Sequence, residues 1–347
     1  MVKNMREEWI EKIPESGKMM AANLHAVADL KYEEVDIPEC GEDEVLVKIK
    51  KCGICGSDVG RILAHGTYHF PTIPGHEFAG QVIYDKTGEH TGKRVAVFPI
   101  LPCFACDMCA EENYAECRNY DYYGSRRDGG YAEYIAVKKW NLVELPDNVS
   151  YEEGAMCEPV SVALHAIKKL EIKEGETLLV TGAGPIGLIA GMWAKSFGAA
   201  TVSYVDIDAD KITFAKSLGF EEYDGKSFVD AALEGTGASS AIAAAIGAVN
   251  PFGRMVLMGN PGRDIALSAK DYQNILRKEL KINGTWNSVY ASHDNNWKDS
   301  LQAISEGKLN VRQLITHSPS IAEAEKAVKM MRDRSEFYCK VVIDNEK

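Results

Sequence analysis

Positive charge is in short supply in this chain. Its 347 residues carry 39 Lys and Arg against 51 Asp and Glu, a formal net charge of −12, with a pI near 5.3. That balance excludes nucleic acid and anionic membrane as the main partner, although a local basic patch could still bind a phosphate. Long apolar runs are lacking too. The most hydrophobic stretch, 177–200, is interrupted by glycines, by Pro185 and by Lys195, and reads as strand, turn and helix rather than as a membrane span. No secretory leader is visible: residues 1–18 include Lys3, Arg6, Glu7, Glu8, Glu11 and Lys12 and contain no apolar core. A cytoplasmic location is expected, where nine cysteines read as metal ligands and free thiols rather than as disulfides.

A hydrophobic content of 46% and a charged content of 26% are those of an ordinary globular protein. The length is large for one core and suggests two domains. Residues 1–17 read as an extension, a short charged helix at 7–12 stopped by Pro14 and Gly17. From about Met20 to Leu145, short alternating runs (44–50, 80–84, 94–98 and 132–137) are separated by Gly and Pro turns, which suits a small β-barrel-like domain. From about 160, strands alternate with helices, a helix at 241–249 and a strand at 253–258 among them, the pattern of a doubly wound parallel sheet. Near Ser292 the pattern shifts again, to helices at 297–305 and 322–331 and a last strand at 340–343.

Chemistry concentrates first at 51–77. A thiol at Cys55, an imidazole at His76 and carboxylates at Asp58 and Glu77 are the ligand types zinc takes. Gly53, Gly56 and Gly75 allow the backbone to wrap closely around an ion. Cys52 is the rival thiol, but it ends an alternating strand pattern and reads as packed. A third ligand must come from elsewhere. Glu158 is an acid in an apolar stretch, set before a helix and followed by Pro159, and it is costly to bury unless paired or metal-bound. Cys157 competes with it.

A second cysteine group, Cys103, Cys106, Cys109 and Cys117, has the spacing C-x2-C-x2-C-x7-C. Four thiolates in one loop fill a tetrahedral zinc and leave no open position, so this group is read as structural; an iron centre uses the same ligands. Further on, the apolar strand at 177–181 runs into Gly182-Ala-Gly184-Pro185-Ile186-Gly187 and then a helix, and the next strand ends in Asp206. In that setting Gly182 permits the tight turn, Gly184 admits a pyrophosphate and Gly187 allows close helix packing. Asp206 would accept hydrogen bonds from the ribose hydroxyls and repel a 2′-phosphate, which favours NAD over NADP, with Lys211 softening that preference.

These segments, Cys55-Gly-Ser-Asp58, Gly75-His-Glu77 with Gly80, Glu158-Pro159 and the four-cysteine loop, resemble the medium-chain zinc-dependent alcohol and polyol dehydrogenases. The resemblance spans nearly all of 20–347 apart from a shortened turn at 85–92. It implies a GroES-like β-barrel catalytic domain (18–159 and 293–347, with a structural zinc lobe at about 99–120) and a Rossmann NAD-binding domain (160–292). It implies two Zn2+ per chain, one catalytic on Cys55, His76 and Glu158, with Glu77 as a second carboxylate and Asp58 orienting the histidine. Zinc with an open position would bind the substrate hydroxyl and lower its pKa, and NAD would take the hydride. Ser57 would make the first proton hop, with ribose hydroxyls, His65, His69 or water beyond it. By the same resemblance, 280–286 is similar to the family's edge strand that pairs across a two-fold axis, which implies a homodimer or homotetramer.

The run 122–134, with Ser125-Arg126-Arg127-Asp128, is similar to family members that act on a polyol phosphate. Arg126, Arg127 or Arg61 could bind such a phosphate by a bidentate contact, with Tyr68, Asn287 and Trp286 as pocket walls, although Trp286 is better explained as core. Sorbitol, xylitol and small diols are the other substrates considered. A non-catalytic NAD(H) sensor would not need an open metal site, and a zinc hydrolase would not need the glycine fingerprint.

Overall fold

The computed structural model describes residues 13–347, so the charged helix expected at 7–12 lies outside the described residues. Two compact units divide the chain. One joins the residues up to Glu158 with Tyr290–Lys347, and the other is Pro159–Val289.

The first unit is built on the strand Glu44–Ile54. Its Val45, Leu46, Val47, Ile49, Cys52 and Ile54 are all buried, so it can only be an inner strand. It pairs antiparallel with Glu77–Asp85 on one side, and with Tyr134–Lys138 and Lys340–Asp344 on the other. Arg94–Val97 and Leu142–Glu144 extend the sheet beyond Glu77–Asp85, and Ile315–His317 adds a parallel edge next to Lys340–Asp344. This is the half-barrel expected of a GroES-like domain. Cys52 lies between Phe78 and Ile343 and is fully buried, a packing thiol. A hairpin of Lys18–Ala26 and Asp29–Asp36 covers one end, with the Ala22 N–H donating to the Tyr131 carbonyl.

The second unit is a six-stranded parallel sheet. Its strand order is Glu221–Glu222, Thr201–Val205, Thr177–Thr181, Val229–Glu234, Val249–Leu257, Lys281–Gly284. Chain order runs outward in one direction from Thr177–Thr181 and then reverses at Val229–Glu234. That reversal is the switch point at which doubly wound sheets bind ligands beyond their strand C-termini. Leu178, Leu179, Val180, Ala231, Ala232 and Leu233 are fully buried, each larger side chain contributing roughly 1.5–3 kcal/mol.

Two boundaries differ from the sequence expectation. The helix expected at 241–249 is Ser239–Ala248, and the next strand already starts at Val249. Pro251 accounts for this, since it cannot continue a helix and keeps Asn250 extended. Glu158 does not precede a helix but sits in the first turn of Cys157–Leu170, where Pro159 costs no hydrogen bond. Among the described residues no helix is long and apolar enough to cross a membrane.

Candidate active site

Cys55 follows the central strand and caps the short helix Gly56–Gly60. Three residues later, Asp58 folds back and accepts hydrogen bonds from the Cys55 N–H and the Tyr131 hydroxyl, each at 3.1 Å. Its other oxygen lies 3.1 Å from His76 Nδ1 and 3.3 Å from Arg61 Nη1. Burial works against the Asp58 charge, yet His76, Arg61 and the Cys55 amide hold its pKa below the usual carboxylate range. His76 is aimed by Gly75, whose φ is +96° and where a Cβ would come 2.4 Å from the Tyr131 ring. With Nδ1 turned toward Asp58, although not aligned for a hydrogen bond, Nε2 is the nitrogen left for a ligand. The Tyr122 ring packs on the imidazole, with centroids 5.6 Å apart.

Cys55, His76 and Glu77 offer donor atoms that all lie within 4.8 Å of one another. Glu158 is outside this set but joins the same buried charges. Burial, then the carboxylates of Glu77 and Asp58, push it up to about 7 against the pull of His76 and Lys340. Lys340 was not singled out from the sequence. Its ammonium is ion-paired with Glu77 and donates to the Ile54 carbonyl at 3.2 Å, and the side chains of Lys340 and Glu77 are only 3% and 1% exposed. Thiolate, imidazole and carboxylate donors, with more buried acid than Lys340 can balance, fit a zinc ion. Cys157, the competing ligand, sits with Sγ 3.7 Å from the Trp297 carbonyl, to which it donates.

Ser57 is exposed, and its Oγ accepts from Arg61 Nη1 at 2.8 Å, which leaves the hydroxyl proton free to be donated elsewhere. Of the two histidines considered for a relay, His69 is occupied with the carbonyls of Pro71 and Arg126, both at 3.0 Å. His65 ends the turn Arg61–His65.

The four lobe cysteines come together as one cluster. Their sulfur separations are 3.6 Å for Cys106 to Cys109, 3.9 Å for Cys106 to Cys117 and 4.0 Å for Cys103 to Cys109. A tetrahedron with metal–sulfur bonds of about 2.3 Å has edges of about 3.8 Å, so the cage matches zinc. N–H groups of Arg118 and Cys109 draw the Cys106 thiol down to about 6, the direction a thiolate ligand needs, whereas burial pushes Cys109 up to about 12. Arg118 grips Asp107 through two bonds of 2.6 Å beside the loop. Phe104, Tyr114, Trp140, Tyr290 and Phe98 form a continuous series of ring contacts from the lobe to buried Trp297.

In the second unit, Gly182 has φ +94° and a Cβ on Gly187 would lie 2.1 Å from the Gly182 carbonyl oxygen. Gly184 faces open space, and Pro185 and Ile186 begin the helix Pro185–Ser196. The Asp206 carboxylate accepts from the N–H groups of Ala183 at 2.8 Å and Asp208 at 3.0 Å, which ties the end of its strand to the glycine loop. Lys211 lies in the following helix, Ala209–Ser217. A further carboxylate escaped the sequence reading. Buried Glu234 accepts from the N–H groups of Thr236 and Gly237 and from the hydroxyls of Thr181 and Thr236, fixing the neighbouring loop.

Tyr68 and Arg126 meet: the guanidinium lies 4.2 Å from the ring centroid and donates to the Tyr68 hydroxyl at 3.3 Å. Arg127 instead turns to Asp121, at 3.4 Å, and to the Tyr123 ring. Trp286 is 55% exposed, which corrects its expected place in a core; the strand ahead of it is the sheet edge and offers no layer to bury it. Asn287 adopts φ +53°, and its Oδ1 is buried without a hydrogen-bond partner.

Residues 41–147 match the alcohol dehydrogenase GroES-like domain, and residues 185–306 match the zinc-binding dehydrogenase domain. Galactitol 1-phosphate 5-dehydrogenase of Escherichia coli (strain K12) is 36% identical over 323 residues, which cover 86% of this chain and 92% of that protein. The chain belongs to the zinc-binding alcohol and polyol dehydrogenase family. Within this dehydrogenase family, the sorbitol dehydrogenase of Bacillus subtilis (strain 168) is 31% identical over 338 residues, 90% of this chain and 93% of its own. The crystal structure of galactitol-1-phosphate dehydrogenase from Escherichia coli superposes with a TM-score of 0.87 at 34% identity, covering 94% of this chain and all of that one.

Proposed function

We propose that this dehydrogenase oxidises a secondary alcohol of a polyol or polyol phosphate, galactitol 1-phosphate-like, passing the hydride to NAD and giving a ketose or ketose phosphate. The observation that carries this reading is the convergence of Cys55, His76 and Glu77 within 4.8 Å, with Asp58 behind the imidazole. Cys55, His76 and Glu158 would hold the catalytic zinc, because Lys340 already pairs with Glu77, whereas among the described residues no Lys or Arg lies within ion-pair distance of Glu158. A zinc ion so held would act as a Lewis acid on the substrate hydroxyl, and NAD would accept the hydride. Asp58, 3.1 Å from His76 Nδ1, would favour a proton on that nitrogen and so leave Nε2 for the metal. Ser57, its lone pair engaged by Arg61, can take the substrate proton and pass its own outward. A second zinc would be structural, on Cys103, Cys106, Cys109 and Cys117. The glycine loop of 182–187 would receive the pyrophosphate at a helix N-terminus, and Asp206, with Lys211 nearby, the adenosine ribose. Likeness to galactitol 1-phosphate and sorbitol dehydrogenases supports a polyol and leaves its phosphorylation to experiment. We also infer a cytoplasmic homo-oligomer, dimer or tetramer.

A metal assay together with NADH absorbance tests this. Two zincs per chain are expected, with one retained and activity lost in Cys55→Ser, and with Asp206→Ala weakening NAD more than NADP. NAD binding without reduction by any sugar alcohol, phosphorylated or not, would instead mark a redox sensor.

A further inference from the structure

Arg61, in the helical turn that follows the Cys55 helix, and Arg126 and Arg127, in the loop after Tyr122, are three arginines of the first unit, and two of them are spent. Arg61 serves Ser57 and Asp58, and Arg127 serves Asp121. Among the described residues Arg126 has no carboxylate within ion-pair distance, in a chain with 51 acidic residues and a net charge of −12. It is nonetheless held firmly. Its guanidinium carbon lies against two aromatic rings, 4.2 Å from the Tyr68 centroid and 4.5 Å from that of Tyr120. The Arg126 N–H donates to the Tyr122 carbonyl at 3.0 Å, and its own carbonyl accepts from His69 Nε2 at 3.0 Å. Tyr120 contacts Tyr122, and Tyr122 contacts His76, so one run of rings links the guanidinium to the proposed metal ligand.

Ring contacts engage the faces of a guanidinium; one Nη2 hydrogen goes to the Tyr68 hydroxyl at 3.3 Å, and among the described residues the remaining N–H groups form an edge with no protein partner. That edge, in a fixed orientation, matches two oxygens of a phosphate. A salt bridge would satisfy the same donors and spoil the site, and the fold supplies none.

We infer that Arg126, clamped by Tyr68 and Tyr120, determines substrate specificity by binding a phosphate monoester at the end of the polyol remote from the reacting carbon. This rests on the reading of the chain as a polyol-phosphate dehydrogenase. Arg126 sets which alcohol is bound and takes no part in the hydride or proton transfer.

The test compares kcat/KM for a hexitol 1-phosphate, the free hexitol and the matching hexonate, using the zinc-loaded full chain with wild type, Arg126→Gln and Arg126→Lys. Wild type is expected to prefer the phosphate. Arg126→Gln should cut the phosphate-to-hexitol ratio by roughly 100-fold, the worth of one charged bidentate contact. Arg126→Lys, which keeps the charge but not the fork, should fall between them, so the comparison survives if the glutamine variant does not fold. A wild-type preference that both variants retain overturns the role of Arg126 and leaves the substrate reading standing. A wild type indifferent to the phosphate overturns the substrate reading itself, and a preference for the hexonate replaces phosphate with carboxylate.

Discussion

Lys340 shows how much a single side chain carries here. Among the described residues it is the one ammonium in contact with the buried acids around Cys55, and Glu77 depends on it. Lys340→Met would leave the Glu77 carboxylate buried without its partner, at an expected cost of about 3–5 kcal/mol. Urea unfolding of the zinc-loaded protein measures this, and pairing the change with Glu77→Gln should recover much of the loss. A single variant as stable as wild type would mean that some other cation balances Glu77. The clustering of Cys55 with His76, and of the four lobe cysteines, was legible in the sequence because each of these residues sits in a short stretch with its turn residues. Lys340 was not, since 263 positions separate it from Glu77 and only strand pairing brings the two together. An apolar run such as Lys340-Val-Val-Ile announces a strand and says nothing of which strand it will meet.

At the level of elements, Asp85 closes the strand Glu77–Asp85 and organises the turn beyond it. Its buried carboxylate accepts from the N–H and hydroxyl of Thr87 and from the N–H and Nδ1 of His90, and lies 2.7 Å from Lys139 Nζ. Burial opposes the charge, but Lys139, Thr87 and His90 outweigh it and hold the pKa well below the usual carboxylate range. The folded-state pKa is therefore the lower of the two. The resulting stability is complete above the unfolded value of about 3.9 and is lost as pH falls toward the folded one. Asp85→Asn should be less stable than wild type at neutral pH, with the difference shrinking below about pH 4; thermal unfolding at several pH values checks this. The glycine loop belongs to this scale as well. Strand, turn and helix were all readable because Gly182 and Gly187 are required by backbone geometry, whereas Glu234, which braces the next loop, reads in sequence as any acid at a strand end.

Over the whole molecule, length and the change from alternating to strand-helix pattern were enough to indicate two units, because hydrophobic periodicity reports which layers each segment must join. Exposure at the sheet edge was not readable in the same way. The helix Ala269–Arg277 has no buried residue, and Tyr272, Leu276 and Trp286 are 60%, 58% and 55% exposed next to the edge strand Lys281–Gly284. If this edge pairs with a second copy, Leu276→Glu combined with Tyr272→Glu should shift the mass in light scattering toward the monomer. An unchanged mass would place the contact elsewhere.

The aromatic series that ties the cysteine lobe to the barrel has an optical consequence. Trp140 touches Phe104 and Tyr114 on the lobe and Phe98 and Tyr290 behind it, so its indole samples any loosening of the four-cysteine loop. Its fluorescence, isolated by difference against Trp140→Phe, gives a built-in gauge of lobe integrity that needs neither substrate nor coenzyme.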